Sequence, residues 1–557
     1  LKRDLTSLTN KIFDVVIVGA GIFGSCAAWD AALRGLSVAV VEKKDFSHAT
    51  SANHLKMIHG GIRYLQHGDI YRVRESSRER SALLRIAPHL TKPIPIVMPT
   101  YGHGKKGKEI LKVGMLVYDM LTCDRNRGLC HEHRIPGGRL IGRDEICELF
   151  PDLETKGLTG GAIFCDGQIS NTPRLALCFL RSAVDVGAEV ANYLEAEKFL
   201  WDDRRVTGVI AKDELSGESV TVRGKMVVNA AGPWAAHLMD DLPDLRKDVQ
   251  PVFSRDLSFM VKKRFNHGYG LAVPTYVKDA DAVFDRGGRH LFFAPWRDYT
   301  LVGVWHKIVK SPPENITVMP EELEAFAEEV NRCYPAMAID PEGIVRVNTG
   351  LTLYGEEAKQ GSVEMSFGKR SLLIDHEKEH QVEGLITLIG VRATTARGMA
   401  EKTIDMVTRK IPGKHKPCST EITPIFGGDM DRLKDVVDTA QKIRPSEMGS
   451  DSMTALVGNH GTRYKEVLQI VLERPDLLQA FKGSNVIKAE VVYAIRSEMA
   501  VHLSDVVFRR TDLASGSLPE KDVLKECGLL MGAELGWSKD RVDREISEVE
   551  HALPQFS

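Results

Sequence analysis

Phe13-Asp14-Val15-Val16-Ile17-Val18-Gly19-Ala20-Gly21-Ile22-Phe23-Gly24 is the stretch that decides the fold. Its first half is apolar and valine-rich, as a buried strand requires. Its second half spaces three glycines as GxGxxG. Ser25 to Arg34 then reads as a helix closed by Gly35, and Ser37 to Val41 reads as a second strand that ends in Glu42. Glycines at Gly19, Gly21 and Gly24 allow a tight turn and let the backbone approach a pyrophosphate. The helix that follows aims unpaired N–H groups at the phosphates. Glu42 is placed to accept hydrogen bonds from ribose hydroxyls. Glycine triplets also occur in plain turns. Here strand, turn, helix, second strand and terminal acid stand in register, which predicts a dinucleotide-binding βαβ unit.

That unit alone does not separate FAD from NAD, but two later segments do. Lys225 to Ala230 is another buried-strand pattern, followed by Ala231-Gly232-Pro233-Trp234, a small-residue turn of the kind that returns to the dinucleotide in flavoproteins of glutathione-reductase type. Leu385 to Ile389 reads as a strand, Gly390 as a turn, and Thr394 to Thr408 as a helix. The positive end of that helix would stabilise negative charge on a reduced flavin ring. A nicotinamide enzyme has no need of this element, so FAD is the expected cofactor.

Bulk properties exclude other classes. With 557 residues the chain has room for two to four domains, and its net charge of −2 argues against a nucleic-acid binder. Nine cysteines, none in a CxxC pair, fit reduced thiols in a cytoplasmic setting and suggest no metal site. The first ten residues lack the apolar core of a secretory signal, and no apolar run approaches the length of a membrane span. Tyr101 to Thr122 interleaves Lys105, Lys106, Lys108 and Lys112 with Ile110, Leu111, Val113, Met115, Leu116, Val117, Met120 and Leu121. Such a helix lies in a membrane headgroup layer or packs on a core with a solvated lysine edge, and both readings stay open.

Further segments carry a family resemblance. Ala49-Thr50-Ser51, Lys56 to Leu65 (KMIHGGIRYL), Arg80 to Leu90 (RSALLRIAPHL), Asn229 to Trp234 (NAAGPW), Thr394 to Arg397 and Glu490 to Leu513 together resemble the flavin-linked glycerol-3-phosphate dehydrogenases over nearly the whole chain. The resemblance implies oxidation of the secondary alcohol of sn-glycerol 3-phosphate to dihydroxyacetone phosphate, with hydride transfer to flavin N5. Electrons would pass to quinone, or in some relatives to dioxygen, from a position peripheral to the inner face of a membrane. A homodimer is compatible with it.

It also implies roles. Thr50 and Ser51 bond the pyrophosphate, with Ala231, Gly232, Gly390, Thr394 and Thr395 completing the cofactor site. His59 takes the hydroxyl proton, its intrinsic pKa lying near working pH; a structural histidine packed beside the ring is the plain alternative. Arg63 binds the phosphate, Tyr64 supplies a second donor, and Lys56 is a weaker ligand, since a lone lysine before an apolar pair is usually solvated.

Two departures from the family pattern bear on the substrate. Thr352 in Thr349-Gly350-Leu351-Thr352-Leu353 stands where an arginine is expected. Arg392 replaces a phosphate-binding lysine, and Ala396 replaces a tyrosine. Arg63 and Arg392 are read as a two-arginine clamp, with Arg370 as a substitute contact. A different small anionic alcohol or amine, or a flavin-binding protein without turnover, are the competing functions.

The expected architecture is α/β: a doubly wound FAD-binding domain of glutathione-reductase type from residues 10–85, 150–240 and 345–412. An α+β substrate domain comes from 90–148 and 245–344, with Ser311-Pro312-Pro313 marking a connection. A helical C-terminal domain spans 420–557.

Overall fold

From Phe13 onward β1 (Ile12–Val18) is almost wholly inaccessible, as expected of a parallel strand covered on both faces. The structure is a computed structural model that describes residues 1–103, 107–239, 252–265, 267–278, 288–309, 316–354 and 370–552. Strand β1 pairs in parallel with β2 (Val38–Val41) on one side and β10 (Ser219–Asn229) on the other, Val16 lying opposite Ala39 and Val227. Strands β7 (Glu189–Ala191) and β17 (Leu385–Ile389) extend the sheet, and β16 (Leu372–Asp375) adds an antiparallel edge. A hairpin of β8 (Leu194–Asp202) and β9 (Arg205–Asp213) attaches to β10.

Three helices share the core on this sheet: α1 (Ile22–Leu33), α4 (Thr172–Asp185) and α5 (Ala396–Lys410). The buried residues of α1 are mostly small, including Gly24, Ala27, Ala28 and Ala31, so its neighbours approach closely. Trp29 closes the layer edge-to-face against Phe179 at 5.4 Å. Helix α5 starts at Ala396 rather than at Thr394, because residues Ala393–Thr395 wind as a tighter turn.

The second sheet comprises β3 (Met57–Ile58), β4 (Thr91–Tyr101), β5 (Arg139–Ile141), β6 (Leu158–Ile169), β11 (Phe253–Lys262), β12 (Gly270–Lys278), β13 (Gly288–Trp296), β14 (Tyr299–Val309) and β15 (Ile344–Leu353). Its order is β15-β11-β14-β13-β12-β4-β6-β3, with β5 beside β6. Strands β3, β6 and β15, which the boundaries drawn from sequence assign to the dinucleotide domain, are hydrogen-bonded into this sheet. The Ser311–Pro313 connection lies outside the described residues. The two layers are pinned together at Thr50, whose Oγ1 donates to Leu351 O and accepts from Leu351 N, both at 3.1 Å.

Two more helices matter to the site: α2 (Ile70–Ile86) and α3 (Lys108–Leu121). Beyond residue 430 the chain is helical, with cores of its own around Met453–Tyr493 and Val506–Met531. It docks through charge. Arg510 NH1 and NH2 donate to Asp45 Oδ2 and Oδ1 at 2.8 and 2.5 Å, and both side chains are 1% exposed. Burial works against the Asp45 carboxylate, but Arg510 and Arg509 outweigh it and hold its pKa well below the usual range. The conspicuous Phe508 to Leu513 segment thus serves as a lock between domains.

Candidate active site

The glycine turn is as tight as its sequence suggests. Gly19 sits in the left-handed region at φ +98°, where a Cβ would lie 2.7 Å from Ala230 O; one at Gly24 would collide with Gly19 O. Gly21 caps the N-terminus of α1, and Ser51 Oγ accepts from Ile22 N at 2.9 Å. Glu42 ends β2, its Oε2 accepting from Ala20 N at 2.7 Å and Oε1 from Lys44 N at 3.1 Å. Burial pushes its carboxyl up to about 7 despite those bonds.

These groups open onto a cavity of about 650 Å³ that reaches from Gly19, Gly21 and Glu42 past Thr50 and Ser51 to Gly390, His59 and Arg63. Trp234 and Lys43 lie at the Glu42 end, the lysine Nζ 4.5 Å from the indole ring. Burial, with Arg509, pushes His48 down to about 4, so it faces the cavity uncharged. The dinucleotide implied by the sequence fits this wall. The Trp234 Nε1–H is buried with no partner among the described residues, an orphan donor for a bound acceptor. Glu42 keeps lone pairs for hydroxyl donors.

At the other end, three guanidiniums surround the Tyr64 ring: Arg72 at 4.5 Å, Arg392 at 5.1 Å and Arg63 at 5.8 Å from its centroid. Arg392 NH1 donates to Tyr64 Oη at 3.1 Å and Ser76 Oγ at 3.0 Å, and its NH2 faces Glu75 Oε2 at 3.4 Å. Arg72 Nε donates to Asp69 Oδ2 at 2.7 Å. The facing wall, from β11, β13 and β14, brings His290, Phe292 and an Asp256–His306 pair, Oδ1 to Nδ1 2.6 Å. Thr352 also lines the cavity.

Of the expected site residues, all but Gly24, Thr395, Lys56 and Arg370 line this cavity. Gly24 acts one step back, by letting Gly19 approach. Thr395 is turned inward, its Oγ1 donating to Arg392 O at 3.1 Å. Lys56 lies apart from the wall. It enters β3 with a left-handed φ of +59°, and its Nζ lies 4.9 Å over Trp296. Burial, with Arg346 and Arg297 nearby, pushes it down to about 7. Arg370 stacks on Tyr71 at 5.8 Å, also outside the wall.

The sequence reading missed Arg72, His290, and the Asp256–His306 pair. The arginine-rich helix Arg72 to Arg80, directly after the HGGIRYL motif, was the available signal for the first. The pair has none, since the two residues meet only through the antiparallel register of β11 and β14.

Comparisons with known proteins find relatives along nearly the whole chain. The model of the FAD dependent oxidoreductase family matches residues 14–401, and that of the C-terminal domain of alpha-glycerophosphate oxidase matches 418–542. A glycerol-3-phosphate dehydrogenase of Synechocystis sp. is 29% identical over 561 residues, covering 99% of this chain and 98% of the relative. An aerobic glycerol-3-phosphate dehydrogenase of Staphylococcus aureus is 28% identical over 573 residues, 99% and 96% covered. The solved structure of a glycerol-3-phosphate dehydrogenase from Bacillus halodurans complexed with FAD superposes with a TM-score of 0.75 over 98% of this chain and 95% of that one, at 22% identity.

Proposed function

The chain belongs to the FAD-dependent oxidoreductases, as a glycerol-3-phosphate dehydrogenase-like member with FAD as its cofactor, and from that premise we propose that it oxidises sn-glycerol 3-phosphate to dihydroxyacetone phosphate and passes the electrons to quinone. The observation that carries the substrate is the cluster of Arg63, Arg72 and Arg392 around Tyr64, in one cavity with the glycine turn and His59.

Gly19, Gly21 and Ser51 hold the pyrophosphate, and Glu42 the ribose. Bound there, FAD supplies the hydride acceptor at N5. Arg63 and Arg72 take the phosphate dianion, a role for which paired guanidiniums suit better than ammonium groups. Arg392, tethered by Glu75, Ser76 and Tyr64, fixes the far side of the cluster. With the phosphate anchored, the secondary hydroxyl faces His59, which takes its proton while the carbon-bound hydrogen leaves as hydride. Thr352 cannot replace the charge of an arginine. Arg72, arriving from α2, restores a guanidinium at that end, which supports a phosphorylated substrate.

Arg63→Ala should lower kcat/KM for glycerol 3-phosphate by roughly ten- to a hundredfold, the effect of one charge-assisted contact. FAD content should not change, and preference over unphosphorylated glycerol should shrink by the same factor. A wild type with no such preference would move the assignment to another small anionic alcohol or amine, the reading that Thr352 favours.

The acceptor needs a membrane, and α3 offers the contact. Leu111, Met115 and Tyr118 are buried, while Val113, Leu116 and Met120 stand 55%, 58% and 76% exposed beside Lys108 and Lys112. One face packs on the core, and the exposed apolar face supports the reading of a helix lying in a headgroup layer. Lys105 and Lys106 lie outside the described residues. Among the described residues no helix is long and apolar enough to cross a membrane. An inserted apolar side chain contributes about 1.5–3 kcal/mol and a lysine near anionic lipid about 1 kcal/mol. The wild type should float with anionic vesicles at low salt, and a Leu116→Glu/Met120→Glu variant should stay behind. Equal flotation of both would remove α3 as the contact.

A further inference from the structure

We propose that Asp166, held by Arg80, is a positioning residue that decides which imidazole nitrogen of His59 carries the proton; the proposal rests on the reading of His59 as proton acceptor.

The HGG sequence is built around this carboxylate. Gly60 N donates to Asp166 Oδ1 at 2.6 Å, and Arg80 NH1 donates to the same oxygen at 3.0 Å and to Cys165 O at 2.7 Å. Tyr118 Oη donates to Gly60 O at 2.9 Å. A Cβ on Gly60 would collide with both the Arg80 guanidinium and the Tyr118 hydroxyl, so only glycine lets these groups reach the backbone beside His59. Gly61, at φ +87°, then turns the chain toward Arg63.

The second oxygen, Asp166 Oδ2, faces His59 Nδ1 at 3.4 Å. Such contacts are often long before substrate binds. Asp166 is 2% exposed and Arg80 is fully buried. Burial opposes the carboxylate charge, but His59, Arg80 and the Gly60 N–H outweigh it. An ionised carboxylate has no hydrogen to give, so Nδ1 must carry the proton. Nε2, on the other side of the ring, is left with its lone pair. That is the tautomer a base needs. When Nε2 takes the substrate proton, the resulting imidazolium stands against a carboxylate already in place. Thr394 Oγ1, accepting from His59 N at 3.2 Å, and Phe292, 5.9 Å from the ring, fix its orientation. Arg80 opens the RSALLRIAPHL segment, which had no role until now.

Asp166→Asn tests the idea. Its amide oxygen can still accept from Gly60 and Arg80, which leaves the NH₂ to donate to Nδ1 and drives the proton to Nε2. FAD content and KM should stay within about twofold, while kcat falls roughly a hundred- to ten-thousandfold, the range of general-base catalysis. Asp166→Glu, which keeps the charge, should recover part of the rate. The readout independent of turnover is nitrogen NMR of ¹⁵N-histidine-labelled holoprotein, with His59 assigned by difference from His59→Gln. Wild type should show Nε2 unprotonated, and Asp166→Asn should show it protonated. A wild type already protonated at Nε2, or an Asn variant with wild-type kcat, overturns the positioning role, and the first result stands even if the variant does not fold. His59→Gln with wild-type kcat would overturn the reading of His59 as base instead.

Discussion

Alanine at position 24 should yield a folded protein that has lost its FAD. The added Cβ collides with Gly19 O, and Gly19 has nowhere to go, being pressed against Ala230 at the end of β10 in a left-handed conformation. The turn must shift, taking with it the N–H groups at the start of α1. At about 1.5–3 kcal/mol for each charge-assisted bond, losing two weakens binding by roughly a hundredfold or more. The ratio of flavin to protein absorbance in purified material reads this directly. Gly35→Ala is the control. It too has positive φ, at +89°, but its Cβ would meet nothing within 4 Å among the described residues. It should cost about 1 kcal/mol of stability and leave FAD in place. Stoichiometric FAD in the Gly24 variant would sink the placement of the pyrophosphate.

Arg510→Ala should have the largest effect on stability. It leaves the buried Asp45 with Arg509 as cation and the Asn192 amide as a neutral donor, and breaking a buried pair costs about 3–5 kcal/mol. A fall in Tm on the order of 5–10 °C follows. The sign of the pH dependence is fixed by Asp45. Its folded pKa is depressed, so its contribution is complete above the unfolded carboxylate value and drains away as pH falls toward the folded one. The gap between wild type and variant should therefore narrow in acid. Because Ser47 and His48 of the cavity wall lie just past Asp45, beyond Phe46, FAD should also bind less tightly. Superimposable melting curves at neutral pH would refute the lock.

The cofactor end was legible because its determinants are local. One turn, one helix and two strands lie within Phe13 to Glu42, and Gly19 and Gly24 have steric reasons that their spacing reveals. The arginine end of the cavity was legible only where the motif is continuous, as in His59, Arg63 and Tyr64. Arg72 joins them from the next helix, and Asp166 from a strand a hundred residues later, so neither leaves a pattern in the chain. Lys56 shows the converse. It belongs to the motif in sequence, but the pairing of Met57 with Gln168 and a left-handed φ send its side chain to the other side. Thr395 falls outside the wall because a turn of three residues points its side chains about 120° apart, and Ala393 and Thr394 take the cavity side. The hydropathy of Lys108 to Leu121 could not decide between core and surface because the helix serves both.

The central sheet also has a history in time. Val16 meets Ala39 soon after both are made, but its other neighbour is Val227, and the next strand out holds Leu385. A ribosome adding about 5–20 residues per second delivers β10 on the order of ten to forty seconds after β1. Through that interval a valine-rich edge waits without a partner, the kind of surface that aggregates or recruits a chaperone. The nascent chain gains no help from its ligand meanwhile. A pocket whose walls include both Gly19 and Thr394 comes into being only when synthesis has passed the latter, so flavin enters late and can rescue only chains that have already survived the wait.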